Sequence, residues 1–191
     1  MDIERHRYAI TDPQGTPLAT MTIGQAIDRA AGLPERYCTG RICVELEYES
    51  TSFGTTTRVR KFPLDATWFP VDDASFKMRV GDFSLPPELC CRGIGTLCWS
   101  KIHETLPRPP RDALILTGAL SSKDAKLTGM IRGTMQTIDN LRRRNDFWLR
   151  MLAPGTQVLQ SDRNGDGSFS GRFVDPARHA NDPKKAIATK I

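Results

Sequence analysis

Two glycines one residue apart, in Arg92-Gly-Ile-Gly-Thr96, stand between an alternating apolar run and the start of a helical stripe. Without a Cβ in the way, successive backbone N–H groups can point outward there, and a helix N-terminus adds a partial positive charge. The chemistry this suits is a diphosphate held by main-chain amides, with Arg92 as counter-charge. The same spacing also occurs in plain tight turns, so the residues alone leave both readings open. A second set is Glu45, Glu47 and Glu49, which recur every second position and so share one strand face. If that face lines a groove, Glu47 is placed to take a proton from an acceptor amine; otherwise the three form a solvated sheet face. A third set, Asp162, Asn164, Asp166 and Gly167, has the spacing that opens an EF-hand loop. Its twelfth position is Phe173 instead of a bidentate glutamate, and its flanks alternate like strands, so a hairpin turn at Asn-Gly and Asp-Gly is the preferred reading over calcium.

Stepping along the chain gives the elements that must position these groups. Phe76, Met78 and Val80, then Phe83 and Leu85, alternate with a skip at Gly81 that suits a β-bulge, and Pro86 and Pro87 stop the strand. From Ile94 the apolar residues Leu97, Cys98 and Ile102 lie on one helical stripe. Residues 113–120 read as a further strand, 135–152 as a firm helix, and 156–173 as a terminal hairpin. Upstream, residues 7–10 and 18–23 flank a turn at Asp12-Pro-Gln-Gly15, and 25–31 read as a short helix stopped by Gly32 and Pro34. Residues 42–48 and 55–62 form a hairpin that sets acidic against basic side chains, and 66–71 make a short strand interrupted by Pro70.

Strand, Pro-Pro-Glu-Leu, Arg-Gly-Ile-Gly-Thr and amphipathic helix together resemble the acyl-coenzyme A binding segment of the GCN5-related N-acetyltransferases, whose signature is Gln/Arg-x-x-Gly-x-Gly/Ala. Gly93 and Gly95 fall on the family's two small positions and Cys90 on its Gln/Arg position; residues 145–151 look like its later helix. The resemblance covers about residues 75–174. It implies an α/β (α+β) fold with a mixed, mostly antiparallel twisted sheet of about six to eight strands and helices on both faces. It also implies one domain over 1–175, divided into a variable substrate-side half, 1–74, and an acyl-CoA-binding half, 75–175, with a loose tail over 176–191.

The implied activity is transfer of an acyl group, acetyl in the first instance, from coenzyme A to an amine by direct attack in a ternary complex. Acetyl-CoA would be held by Phe83, Ser84 and Leu85 along the strand, by Arg92, Gly93, Ile94, Gly95 and Thr96 at the turn, and by Asn145 and Trp148 on the later helix. Glu47 and Ser84 are the candidate catalytic side chains. Trp148 stands where the family commonly has a tyrosine that protonates the departing thiolate, and an indole N–H is no acid. The alternative is therefore a non-catalytic binding or effector module on the same scaffold, meeting an acidic protein or nucleic acid through its charge. The acceptor, whether small amine, peptide or protein lysine or N-terminus, or aminoacyl-tRNA, is not legible, and a homodimer is compatible.

Composition sets the outer bounds. The chain has 191 residues, 39% hydrophobic and 26% charged, with a net charge of +5; that is an ordinary globular composition with room for one sizeable core. No apolar run approaches the ~20 residues of a membrane span. The N-terminus carries charges of both signs and no apolar secretory segment, so a cytoplasmic location without membrane contact is expected. The five cysteines, Cys38, Cys43, Cys90, Cys91 and Cys98, include no CxxC pair, and buried hydrophobes are the expectation over zinc or any other metal. Arg142, Arg143 and Arg144 fan around the later helix as solvated charges. His103 reads as a helix-end histidine, and His6 and His179 have no nucleophile placed beside them, which leaves a hydrolase triad without support.

Overall fold

The computed structural model of the chain describes residues 2–29, 37–72, 74–90, 92–108, 110–121, 134–161, 166–176 and 186–191. Among them are nine strands: β1 (Asp2–Thr11), β2 (Pro17–Asp28), β3 (Thr39–Ser52), β4 (Thr55–Pro70), β5 (Phe76–Phe83), β6 (Leu114–Leu120), β7 (Val158–Ser161), β8 (Gly167–Arg172) and β9 (Ile187–Lys190). Two α-helices join them, α1 (Ile94–Thr105) and α2 (Thr134–Arg150). All nine strands form one sheet in the order β7-β8-β6-β5-β4-β3-β2-β1-β9, antiparallel except for the β5/β6 pair. The α+β class and the mostly antiparallel sheet are as expected, and the strand count exceeds the expected six to eight.

Alternation explains most of the sheet. Tyr8 and Ile10 on β1, Met21, Ile23 and Ile27 on β2, and Ile42, Val44, Leu46 and Tyr48 on β3 are buried, while intervening residues face outward. The same rule corrects the expected helix over 25–31. β2 runs on to Asp28 because Ile23, Gln25 and Ile27 continue the period of two along β3, pairing with Val44, Ile42 and Gly40; residues 30–31 lie outside the described residues. The separate strand over 66–71 is likewise corrected: it is the second half of β4, which continues through Pro63. Pro63 is tolerated because a register shift between Val44 and Leu46 leaves no ladder bond for it to donate, and its carbonyl accepts the Ser84 amide at 2.9 Å.

The turn at Asp12 is built as expected: the Asp12 Oδ1 accepts the Gln14 and Thr16 amides, and Gly15 takes φ 87°. The terminal hairpin is β7 and β8, although residues 162–165 of its turn, which open the calcium-like loop, lie outside the described residues. The tail is corrected at its end, where β9 pairs with Tyr8–Thr11 of β1.

α1 begins at Gly93, whose φ of 78° is left-handed, and ends where Leu106 turns extended ahead of Pro107. Instead of one apolar stripe, its first two turns are buried all round, Gly95, Thr96 and Ser100 included. Around them lie Phe83, Trp99, Trp148, Phe169 and Phe173. Trp148 stacks on Phe169 at 4.1 Å between centroids and meets Trp99 edge-on at 5.6 Å, while Phe83 touches Trp99, Phe147 and Trp148. Both described helices therefore lie on the side of the sheet that carries this cluster. One continuous core runs from Tyr8 to Phe173, across both expected halves of the chain.

Close approach rather than a turn explains Gly40. A Cβ there would sit 2.4 Å from the fully buried Trp68 ring, and a rigid ring in a packed core has nowhere to go. Gly40→Ala is expected to cost about 1–3 kcal/mol, read as a lowered midpoint in urea or thermal unfolding; an unchanged midpoint would show that Trp68 is free to move.

Candidate functional site

The β5/β6 pair is the one parallel contact in the sheet, and it is short. Phe76–Val80 pairs with Leu114–Gly118, after which the partners separate: β5 stays with β4 through Phe83, and β6 stays with β8 through Leu120. The cause lies at Gly81. Asp82 faces Asp65 and Val80 faces Ala66, so Gly81 is the extra residue of a bulge, at the position the skip in the sequence marks. Ser84 turns its amide toward β4 to reach Pro63, and alternation turns the Phe83 amide to the opposite edge, where β6 has moved away. In open sheets such an opening, beyond the carboxyl ends of parallel strands, is where ligands enter.

The side chains expected to hold coenzyme A are distributed unevenly around this opening. Phe83 and Leu85 are half-buried, and together with Phe147 they approach the point where a Gly95 Cβ would lie, at 3.2–3.5 Å. Gly95 is thus a close-packing position between α1 and α2. Its neighbours Ile94 and Thr96 are buried, so their side chains are core groups. The N–H groups of a first helical turn run along the axis, past Arg92 and Gly93, so this lateral packing does not itself cover them. Arg92 is exposed; its carbonyl accepts the Ala186 amide at 3.0 Å, and its charge helps lower the Asp12 carboxyl, which the Thr16 amide holds down first.

Trp148 is corrected from a ligand contact to a core residue, buried to 6% exposure and stacked on Phe169. Asn145 is half-buried, and its Oδ1 accepts from the Arg144 guanidinium at 2.8 and 3.0 Å. Arg144 is corrected too. It is no free solvated charge, because it also donates to the Ser121 carbonyl just beyond β6, at 2.8 Å. No pattern in the sequence signals that contact, since it joins α2 to a strand end 23 residues earlier.

Glu47 belongs to the outer face of the β3/β4 ladder, opposite Arg60. Its Oε1 accepts from Arg60 at 2.7 Å and its Oε2 from Arg58 at 2.5 Å, while Arg60 also reaches Glu45 at 2.9 Å. The hydrogen bond from Arg60, then that from Arg58, holds the Glu47 carboxyl below the usual carboxylate range. A carboxylate so stabilised is a poor proton acceptor, which corrects Glu47 as general base. Ser84 is exposed at the end of β5 with its amide engaged by Pro63.

Cys98 is wholly buried, and burial pushes its thiol up to about 12, so it is inert. Cys38 is buried, Cys43 exposed and Cys90 half-buried, with Cys91 outside the described residues. The His103 ring packs edge-on against Phe173 at 5.3 Å. Among the described residues there is no group of three or more metal-ligating side chains and no helix long and apolar enough to cross a membrane. No protein-family model, no curated protein and no solved structure matches the chain.

A depressed carboxylate gives a definite sign. The Glu47–arginine contacts contribute fully above the ordinary glutamate range and are lost as pH falls through the lowered Glu47 value. Carboxyl NMR titration is expected to place Glu47 below the value of a free glutamate, and Glu47→Gln to leave any thiol-releasing activity unchanged. A Glu47 that titrates at or above the free value would restore it as a candidate base.

Proposed function

We propose that the protein binds a coenzyme A thioester, acetyl-CoA in the first instance, where β5 and β6 part, and transfers the acyl group to an amine. The separation of the parallel strands at the Gly81 bulge carries this reading. It leaves main-chain groups of residues 81–83 without a β6 partner, beside the turn that opens α1. A pantetheine arm has two amides and can pair with such an edge as an added strand does. The diphosphate would lie toward Arg92 and Gly93, at the positive end of α1. The Gln/Arg-x-x-Gly-x-Gly/Ala resemblance and the net positive charge support the same placement, and the layout specific to the N-acetyltransferase family, like a cytoplasmic location, belongs to the proposal.

The chemistry this allows needs few side chains. A neutral amine attacks the thioester carbonyl carbon while an edge amide such as that of Phe83 donates to the carbonyl oxygen as it becomes an oxyanion. The C–S bond breaks, the ammonium proton passes to water, and the coenzyme A thiolate takes a proton from solvent. Holding two reactants in one crevice supplies most of the acceleration. Acid catalysis from Trp148 and base catalysis from Glu47 have no place in this scheme.

Those same two residues favour the second reading, a non-catalytic module. Trp148 is stacked in the core and Glu47 is bound by two arginines, so neither is free to move a proton. Calorimetry with acetyl-CoA on wild type and Arg92→Glu, followed by thiol release with spermidine and a lysine peptide, separates the cases. The proposal expects saturable binding, at least tenfold weaker in the variant because a diphosphate contact turns repulsive, and thiol release with at least one amine. Binding without turnover supports the second reading, and absence of binding to the folded wild type overturns both the site and the activity.

A further inference from the structure

β3 and β4 run past the rest of the sheet. β2 accompanies β3 only as far as Glu47, and β5 accompanies β4 only from Leu64 onward. Beyond that level the Tyr48–Val59 pair still belongs to the core, and the pairs from Glu49–Arg58 to Ser52–Thr55 form an arm whose tip lies about 20 Å past the last β2 partner. The arm is braced. The Ser50 hydroxyl donates to Glu88 at 2.7 Å, the Thr51 and Thr56 hydroxyls meet at 3.1 Å, and Glu47 is held by Arg58 and Arg60 at its base.

At the tip, Ser52 pairs with Thr55 across a two-residue turn in which Phe53 has φ 50° and Gly54 φ 80°. Both signs are positive, the type I′ geometry that favours Asn-Gly and disfavours a bulky L-residue first. Phe53 is the one non-glycine residue with positive φ among the described residues, and its ring is fully exposed. The fold gains nothing from it: the backbone is strained, the ring is in water, and Asn would satisfy the turn better. Outliers of this kind point toward function rather than stability.

We infer that the arm is a docking finger and that Phe53 inserts into an uncharged apolar pocket of a partner protein. The eight residues from Ser50 to Thr57 carry no charge; around the ring they offer Ser and Thr hydroxyls and one glycine. An aromatic anchor within a neutral hydrogen-bonding collar is the composition of a protein–protein hot spot with its rim. Phosphate-bearing partners, whether nucleic acid or anionic lipid, are met by Lys and Arg, which this tip lacks. A single ring is also too little apolar surface to hold a protein on a neutral bilayer, where even one acyl chain binds only marginally. The braced arm is pre-organised, so docking costs little ordering. This inference stands apart from the acyl-transfer reading and survives its failure.

Two measurements test it. Phe53→Asn is expected to raise the thermal midpoint by about 2–4 °C as the strain is relieved; a lowered midpoint would show that the ring serves the fold and would overturn the inference. For docking, p-benzoylphenylalanine replaces Phe53, or Val71 as an exposed control, and the protein is photolysed in an extract of its own cells. The expected result is a discrete adduct from position 53 only, abolished by excess unlabelled wild type and retained against the same excess of Phe53→Asn. No adduct, equal competition by both proteins, or an adduct with the mass of two chains overturns it. So does flotation of the wild type, but not of Phe53→Asn, with neutral phosphatidylcholine vesicles.

Discussion

The contact on which the architecture depends is the aromatic cluster of Phe83, Trp99, Phe147, Trp148, Phe169 and Phe173. These six rings come from the end of β5, from α1, from α2 and from β8 and its flank, so they join the pieces that the sheet ladder does not. Their centroids are 4.1–5.9 Å apart in stacked and edge-on pairs, the spacing at which rings add roughly 0.5–1.5 kcal/mol per pair beyond simple burial. Gly95 and Gly118 exist for this cluster. The missing Cβ of one admits Phe147, and that of the other admits Phe169, whose ring lies 2.5 Å from where a Gly118 Cβ would be. A sheet with a single short parallel contact would otherwise have little to fix its two helices, and the cluster supplies that constraint.

The same rings constrain the site. By filling the space between α1 and α2, they exclude Trp148 from chemistry and turn Gly95 into a packing position. Reactive possibilities are pushed onto the main chain, where Gly81 lets β5 leave β6 and exposes a strand edge. Several charged side chains are already committed: Glu47 to two arginines, Arg41 to Asp65 at 2.6 and 2.9 Å, Glu88 to Ser50 and Arg144 to Ser121. A strand edge with these properties offers main-chain groups rather than side-chain acids and bases. The arm at the other end of β3 and β4 follows the opposite rule. Its tip departs from the residue that would stabilise it, whereas the sheet departs from local preference only where packing compensates.

Local pattern was enough for much of this protein. Period-two alternation located β3, the first half of β4 and β5, turn residues located the terminal hairpin, the skip at Gly81 located the bulge, and Gly93 with the stripe from Ile94 located the start of α1. Each of these is set by neighbours within a few residues, which is the range over which backbone sterics and side-chain periodicity act. Residues 25–28 went the other way, because the ladder to β3 decided them over their local pattern. The tail's last residues likewise became a strand only because β1 offered an open edge. Which face the helices take, that Trp148 stacks on Phe169, that two arginines converge on Glu47 and that Arg144 reaches Ser121 are contacts between residues distant in sequence. Nothing in composition or spacing encodes the direction in which a crossover folds back, so those features, and with them the character of the site, were settled by tertiary packing alone.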